Sequence, residues 1–206
     1  GDRNNASNNA KLEAAKQFGK LYYQEVEQLS TRRRAVDINM RNFHNWVKAS
    51  LIGRITDVND NGRRMLLDLS VGKGGDMRKW LKAGVSVVVG IDISGTAIEE
   101  ARRRYKEQLT AAERRQMDAY FIHGDSTRLI DLDGGMCLDT FSRQEWKRFQ
   151  ARYGIQSNGS DTDVLQIFDM VVSNFAIHYI IETKQQRNIL CQNLSRCLLP
   201  GGLFVG

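Results

Sequence analysis

Cysteine is scarce in this chain. Only Cys137, Cys191 and Cys197 occur among 206 residues, without metal-ligand spacing or even pairing. That argues against a disulfide-built scaffold and reads as reduced thiols in an intracellular protein. Long hydrophobic runs are missing as well. No apolar stretch approaches the ~20 residues a membrane span needs, so the run at 85–91 reads as a buried strand. The first ten residues are polar and Asn-rich, which predicts a tail and no secretory leader. Internal repeats are absent, and no Ser/His/Asp set, metal-ligand cluster or pair of catalytic carboxylates stands out.

What is present is an ordinary globular composition, 41% hydrophobic and 26% charged, enough for one α/β domain with a small appendage. The net charge of +6 tilts the chain towards an anionic partner. Apolar residues recur at three and four through 11–29, predicting an amphipathic helix, and a run of arginines follows at 32–34. That run suits either a solvated turn or an RNA-facing patch. A second helix is predicted at 41–58, with Phe43, Val47, Leu51 and Ile55 as its buried stripe. His44, Asn45 and Lys48 share a neighbouring face, as a polar site or as plain surface.

From residue 65 the pattern alternates. Strands are predicted at 65–69, 85–91, 119–122 and 168–173, with a fifth beginning at 203. Helices are predicted at 76–82, 95–109 (capped by Ser94) and 184–198, the last stopped by Pro200. Residues 128–166 read as an insertion between strands, mobile in part, with a helix near 143–153. Alternation of this kind predicts a doubly wound, mostly parallel sheet with helices on both faces, here incomplete at its C-terminal end.

The chemistry concentrates at 65–92. A strand bearing Asp68 runs into Gly72-Lys73-Gly74-Gly75, and the next strand closes on Asp92. The dinucleotide fingerprint fails, because its third glycine falls on Met77, and the phosphate-loop pattern fails too. An acid-bearing strand with a G-x-G-G turn suits S-adenosylmethionine, whose sulfonium and amino groups call for carboxylates such as Asp68 or Asp76. Asp92 stands where an acid accepts ribose hydroxyls, and Asp125-Ser126 can meet the adenine edge. Each has a plainer reading: Asp76 as a helix cap, Asp125 as a turn residue.

Three motifs then align with one family. Arg41-Asn-Phe-His-Asn-Trp-Val-Lys48, Leu67-Asp-Leu-Ser-Val-Gly-Lys-Gly-Gly-Asp76 and Asn174-Phe-Ala-Ile-His-Tyr179 resemble motifs of the eukaryotic mRNA cap (guanine-N7) methyltransferases. The resemblance covers 37 to 206, apart from the insertion at about 131–163, and leaves 1–36 as a polar tail and helix. It implies a class I S-adenosylmethionine-dependent methyltransferase fold of Rossmann-like type. It also implies methyl transfer to guanine N7 of a capped (GpppN) RNA, with S-adenosylhomocysteine as product.

By the same resemblance, Lys48, Asp68, Ser70, Gly72, Asp76, Asp92, Asp125, Ser126, Asn174 and Tyr179 hold the cofactor. His44, Asn45, Lys73, Arg104, His178 and Tyr179 meet the cap. No residue acts as a base and no metal takes part. The family further implies a monomer in the nucleus (the cytoplasm for a viral or parasite member), with other capping enzymes or a fused guanylyltransferase as partners and no membrane. The alternatives are a methyltransferase with another acceptor and a non-catalytic cap- or RNA-binding module. Two departures bear on this: Ser70 stands for a glycine, where its Cβ can crowd the cofactor, and His44 stands for an asparagine.

Overall fold

The computed structural model describes residues 34–58, 62–156 and 165–206. The helix expected at 11–29 and most of the arginine run lie outside them. The chain divides into two compact units, 1–47 and 48–206. Helix α1 (Arg34–Gly53) crosses the division and tightens into a 3-10 turn, Arg54–Asp57.

In the first unit the expected stripe fails at Phe43. Its ring is 59% exposed and stacks on Trp46 at 6.3 Å, whereas Ile52 and Ile55, in the second unit, are fully buried. The reason is geometric. Steps of four residues overshoot a helical turn by ~40°, so a stripe read at every fourth residue drifts around the helix.

The second unit is a sheet with helices on both faces. After α1 come β1 (Arg64–Asp68), α2 (Met77–Lys82), β2 (Val85–Asp92), α3 (Gly95–Gln108), α4 (Ala111–Gln116) and β3 (Asp118–His123). The chain continues through α5 (Thr140–Tyr153), β4 (Phe168–Val172), α6 (Ile177–Ile180), α7 (Lys184–Cys197) and β5 (Leu198–Val205). Strand order is β3-β2-β1-β4-β5 and every pairing is parallel, so the doubly wound expectation holds. β5 begins five residues earlier than 203, and its register shifts around Pro200-Gly201-Gly202. Helix α4 was not foreseen. Its start is a capping box, in which Thr110 accepts from the Glu113 N–H while the Glu113 carboxylate accepts from the Thr110 N–H.

Alternation along the strands builds two cores. One face carries Leu67, Val89, Ile122 and Val171 beneath Trp146 and Phe149 of α5 and Leu190 of α7. The other carries Leu66, Val88, Phe121 and Met170 beneath Ile52, Trp80 and Ile98. Successive strand residues point to opposite faces, so strands buried on both sides read as continuous apolar runs. The described part of 128–166 is therefore built into the core: α5 is a crossover helix with Trp146 and Phe149 fully buried.

The three cysteines are free. Burial pushes the thiols of Cys137 and Cys197 up, to about 11 and about 12, so both behave as apolar packing. Among the described residues no helix is long and apolar enough to cross a membrane.

Candidate functional site

A parallel sheet brings the C-terminal ends of all its strands to one edge. Here the chain reverses direction across the sheet between β1 and β4, and a ligand crevice forms at such a reversal. Asp68 ends β1 and Asp92 ends β2, while Ser173 and Asn174 follow β4. The Oγ atoms of Ser70 and Ser173 lie 3.4 Å apart, linking the segments that follow β1 and β4.

The turn after β1 is folded back tightly. Gly72 and Gly74 take φ of 53° and 69°, a region that favours glycine. The Val71 N–H donates to the Ile91 carbonyl at 3.0 Å. A Cβ placed on Gly90 would come within 2.7 Å of Val71 Cγ2, so Gly90 lets the turn lie on β2. Sequence reasoning passed over Gly90; a glycine inside an apolar strand was the available signal. Ser70 is not among the described non-glycine residues with positive φ, so its backbone accommodates a side chain without strain.

Asp92 holds this turn from below. Its Oδ2 accepts from the Gly72 N–H at 2.8 Å and its Oδ1 from the Ser94 N–H at 2.9 Å. Burial raises its carboxyl above the usual range, opposed by those two hydrogen bonds and by the charge of His123. Asp68 is 3% exposed and accepts from the Ser70 N–H at 2.9 Å. Burial, with Asp76 and Asp92 adding repulsion, pushes it up to about 7 against the pull of Ser70 and Lys48.

Asp76 does not cap its helix: no capping hydrogen bond forms. Its Oδ2 receives Lys48 Nζ at 2.9 Å and its Oδ1 receives Lys79 Nζ at 2.8 Å. Lys79 was unforeseen, although it sits one turn along the helix from Asp76. Lys48 Nζ also lies 5.8 Å from the centroid of the Phe175 ring. Phe175 has φ of 60°, a strained value for an aromatic residue, and only the tertiary structure exposes that. Its neighbour Asn174 has a buried Nδ2 with no hydrogen-bond partner.

The adenine-edge pair is engaged elsewhere. Asp125 Oδ1 accepts from the N–H and hydroxyl of Thr127 at 2.9 and 2.6 Å, and its Oδ2 faces Arg128 Nε at 3.3 Å. That is the turn reading. Ser126 Oγ is buried and donates to the Leu69 carbonyl at 2.7 Å.

His178 and Tyr179 sit on α6, beyond the end of β4; both are exposed, with ring centroids 3.9 Å apart. Lys73 is half-buried in the glycine turn. Arg104 Nε is paired with Glu100 at 2.7 Å. His44 and Asn45 lie one turn before Lys48 on α1, within the first unit, and the His44 ring lies 6.2 Å from that of Phe43.

The two raised acids, Asp68 buried and Asp92 half-buried, suit a cationic ligand. Two carboxylates held high by burial gain most from a positive charge, and the orphaned Asn174 amide calls for an acceptor.

A family model described as the mRNA (guanine-N(7))-methyltransferase domain matches residues 4–206. The mRNA cap guanine-N(7) methyltransferase of Drosophila melanogaster is 30% identical over 195 residues, covering 89% of this chain and 40% of the relative. That of Caenorhabditis elegans is 32% identical over 170 residues, covering 81% and 38%. The chain thus spans two fifths or less of these relatives. Among solved structures, a glycopeptide N-methyltransferase complexed with S-adenosyl-L-methionine aligns with a TM-score of 0.48 and 17% identity, over 77% of this chain and 52% of that one.

Proposed function

The chain belongs to the mRNA (guanine-N(7))-methyltransferase family, and we propose that it methylates N7 of the guanine cap of mRNA, using S-adenosyl-L-methionine. The carrying observation is the pair of raised acids, buried Asp68 and half-buried Asp92, joined to a glycine turn at the sheet's reversal point. On this reading Asp68 faces the cofactor's amino end and Asp92 its ribose. Lys48 draws the cofactor's carboxylate while keeping Asp76 neutralised. The backbone at Ser70 and Gly72 forms the wall, Asn174 supplies a donor, and Asp125 and Ser126 shape the adenine end. His44, Asn45, Lys73, Arg104, His178 and Tyr179 serve the cap, with Tyr179 available to stack.

The bound cofactor supplies an electrophilic methyl group on a cationic sulfur. The chain's residues have a narrower task. Guanine N7 carries an exposed lone pair and no proton to lose, so no side chain need act as a base. Acceleration comes from holding the acceptor in line and from fixed charges in a site that excludes water. The protein works as a monomer in the nucleus on the capped end of a transcript.

Incubation with GpppG-capped RNA and methyl-labelled donor tests the reading. Label recovered at guanine N7 supports it. Label on another acceptor, or none while S-adenosylhomocysteine still binds, overturns it.

A further inference from the structure

His123 ends β3 and lies opposite Asp92 in the register of β2 and β3. It was not among the expected site residues. Its ring is half-buried and bridges two segments: Nδ1 lies 2.8 Å from Asp139 Oδ2, and Nε2 lies 3.2 Å from the Ile93 carbonyl oxygen. Burial works against the charge of Asp139, but the Ser142 N–H and the His123 ring hold its carboxyl below the usual range. A carbonyl and an ionised carboxylate only accept, so the ring meets each of them through an N–H.

The Ile93 carbonyl matters because of what shares its peptide plane. A trans peptide is rigid and sets its C=O and N–H on opposite sides. The N–H of this unit belongs to Ser94, and it donates to Asp92 Oδ1 at 2.9 Å. The imidazole therefore holds one end of a planar group whose other end holds Asp92. The imidazole is fixed in turn. The His123 N–H donates to Ser142 Oγ at 2.8 Å, and the Leu138 N–H donates to the His123 carbonyl at 3.0 Å. A Cβ added to Gly95 would come within 3.3 Å of the ring, so the first residue of α3 packs directly on it. Asp139 is the N-cap of α5: its Oδ1 accepts the Ser142 N–H at 2.6 Å, which leaves Oδ2 for the ring.

We propose that His123, braced by Asp139, is a positioning residue for the cofactor's ribose, fixing the Asp92 carboxylate through the Ile93–Ser94 peptide. The inference rests on the reading of Asp92 as the acid that accepts the ribose hydroxyls. A carboxylate meets both hydroxyls only in one orientation, and its last torsion is soft. Ties from Gly72 and Ser94 lock that torsion, and each oxygen keeps a further lone pair for the ligand. Loosening the Ser94 tie frees the carboxylate to turn, and affinity falls without any contact to the ligand being removed. The brace also gives α5 a second task, beyond covering the sheet.

Calorimetry with S-adenosylhomocysteine, and with its analogue lacking both ribose hydroxyls, compares the protein with H123F, D139S and D139N. Serine caps a helix about as well as aspartate but is too short to reach the ring, so D139S removes the brace and keeps the cap. Affinity for S-adenosylhomocysteine is expected to fall about fivefold in D139S and about tenfold or more in H123F, the scale of one and two hydrogen bonds. Affinity for the analogue, which gives Asp92 nothing to hold, is expected to stay within about twofold of the unaltered protein's. Asparagine keeps the cap, and its amide can donate to an unprotonated Nδ1 while Nε2–H still serves Ile93. D139N is therefore expected to recover most of the loss seen in D139S.

An equal loss on both ligands overturns the proposal, because it marks general damage to the pocket. Unchanged affinity of H123F and D139S for S-adenosylhomocysteine overturns it as well. A loss in D139N as large as in D139S overturns it in favour of the bare charge of Asp139. If the unaltered protein fails to bind S-adenosylhomocysteine, the cofactor reading falls and takes this proposal with it; normal binding there with indifferent variants sinks only the role of His123.

Discussion

Lys48 Nζ and Asp76 Oδ2 lie 2.9 Å apart, joining α1 to the residue that precedes α2 across 28 positions of sequence. Lys79 takes the other oxygen of the same carboxylate. The trio carries a net positive charge, so Lys48 can draw an anionic group without leaving Asp76 unpaired.

The expected outcome for Lys48→Met follows from that arrangement. A hydrogen bond to a charged group contributes about 1.5–3 kcal/mol, so affinity for S-adenosylhomocysteine should fall by about tenfold or more. Asp76 keeps Lys79, and the melting temperature should move little. Calorimetry and a thermal scan check both. Wild-type affinity would leave Lys48 as a structural cation only.

Asp68 makes cofactor binding pH-dependent. Its carboxyl is held at about 7, so it is partly protonated near neutrality, and the ligand's ammonium favours the ionised form. Affinity for S-adenosylhomocysteine should therefore rise from pH 6 to pH 8, with protons released on binding near pH 7. Titration in buffers of different ionisation enthalpy measures the release.

Stability of the unliganded protein has the opposite sign. A folded value raised above the ordinary 3.8 means that Asp68's contribution is fully present below that value and is lost as pH rises through about 7. Asp68→Asn should flatten this part of the profile of melting temperature against pH. An unchanged slope between pH 5 and pH 8 would show that Asp68 is not the responsible group.

Asp92→Asn tests the support under the glycine turn. The amide retains one acceptor oxygen, so one of the bonds from Gly72 and Ser94 is lost, at about 1 kcal/mol or more for the half-buried N–H left unpaired. Cofactor affinity should drop by more than tenfold and the melting temperature should fall with it. A loss of affinity alone, with stability intact, would mean that Asp92 acts on the ligand and not on the turn.

Gly90→Ala should damage the site from behind. The new Cβ meets the Val71 side chain at 2.7 Å, and overpacking of this kind costs about 1–3 kcal/mol. Gly90 is buried within β2, so reduced cofactor affinity would report displacement of the turn. A variant with normal stability and affinity would show that the turn has room to shift.

Most of the second unit's elements were legible in order, because strand alternation, glycine turns and caps act over a few residues. Ser94 was read as a cap from its neighbours alone, and it accepts the Ala97 N–H as expected. The misses arose where a local pattern met a distant surface. Phe43 satisfied a spacing rule and is exposed all the same, because residues spaced by four drift around a helix. For Asp125 the turn reading is met through Thr127 and Arg128, contacts that the tertiary structure had to supply. The short helix that carries His178 and Tyr179 had no cue in the four residues that form it.

By itself, the sequence determined the doubly wound order of elements and set Asp68, the glycine turn and Asp92 at strand ends, since chain geometry enforces these over short distances. Tertiary structure alone decided the rest. It buried Asp68 until its carboxyl rose to about 7, seated Lys48 on Asp76, and set the His123 ring between Ile93 and Asp139. Those properties depend on desolvation and on charges drawn from remote elements, and neither is encoded within a single stretch of chain.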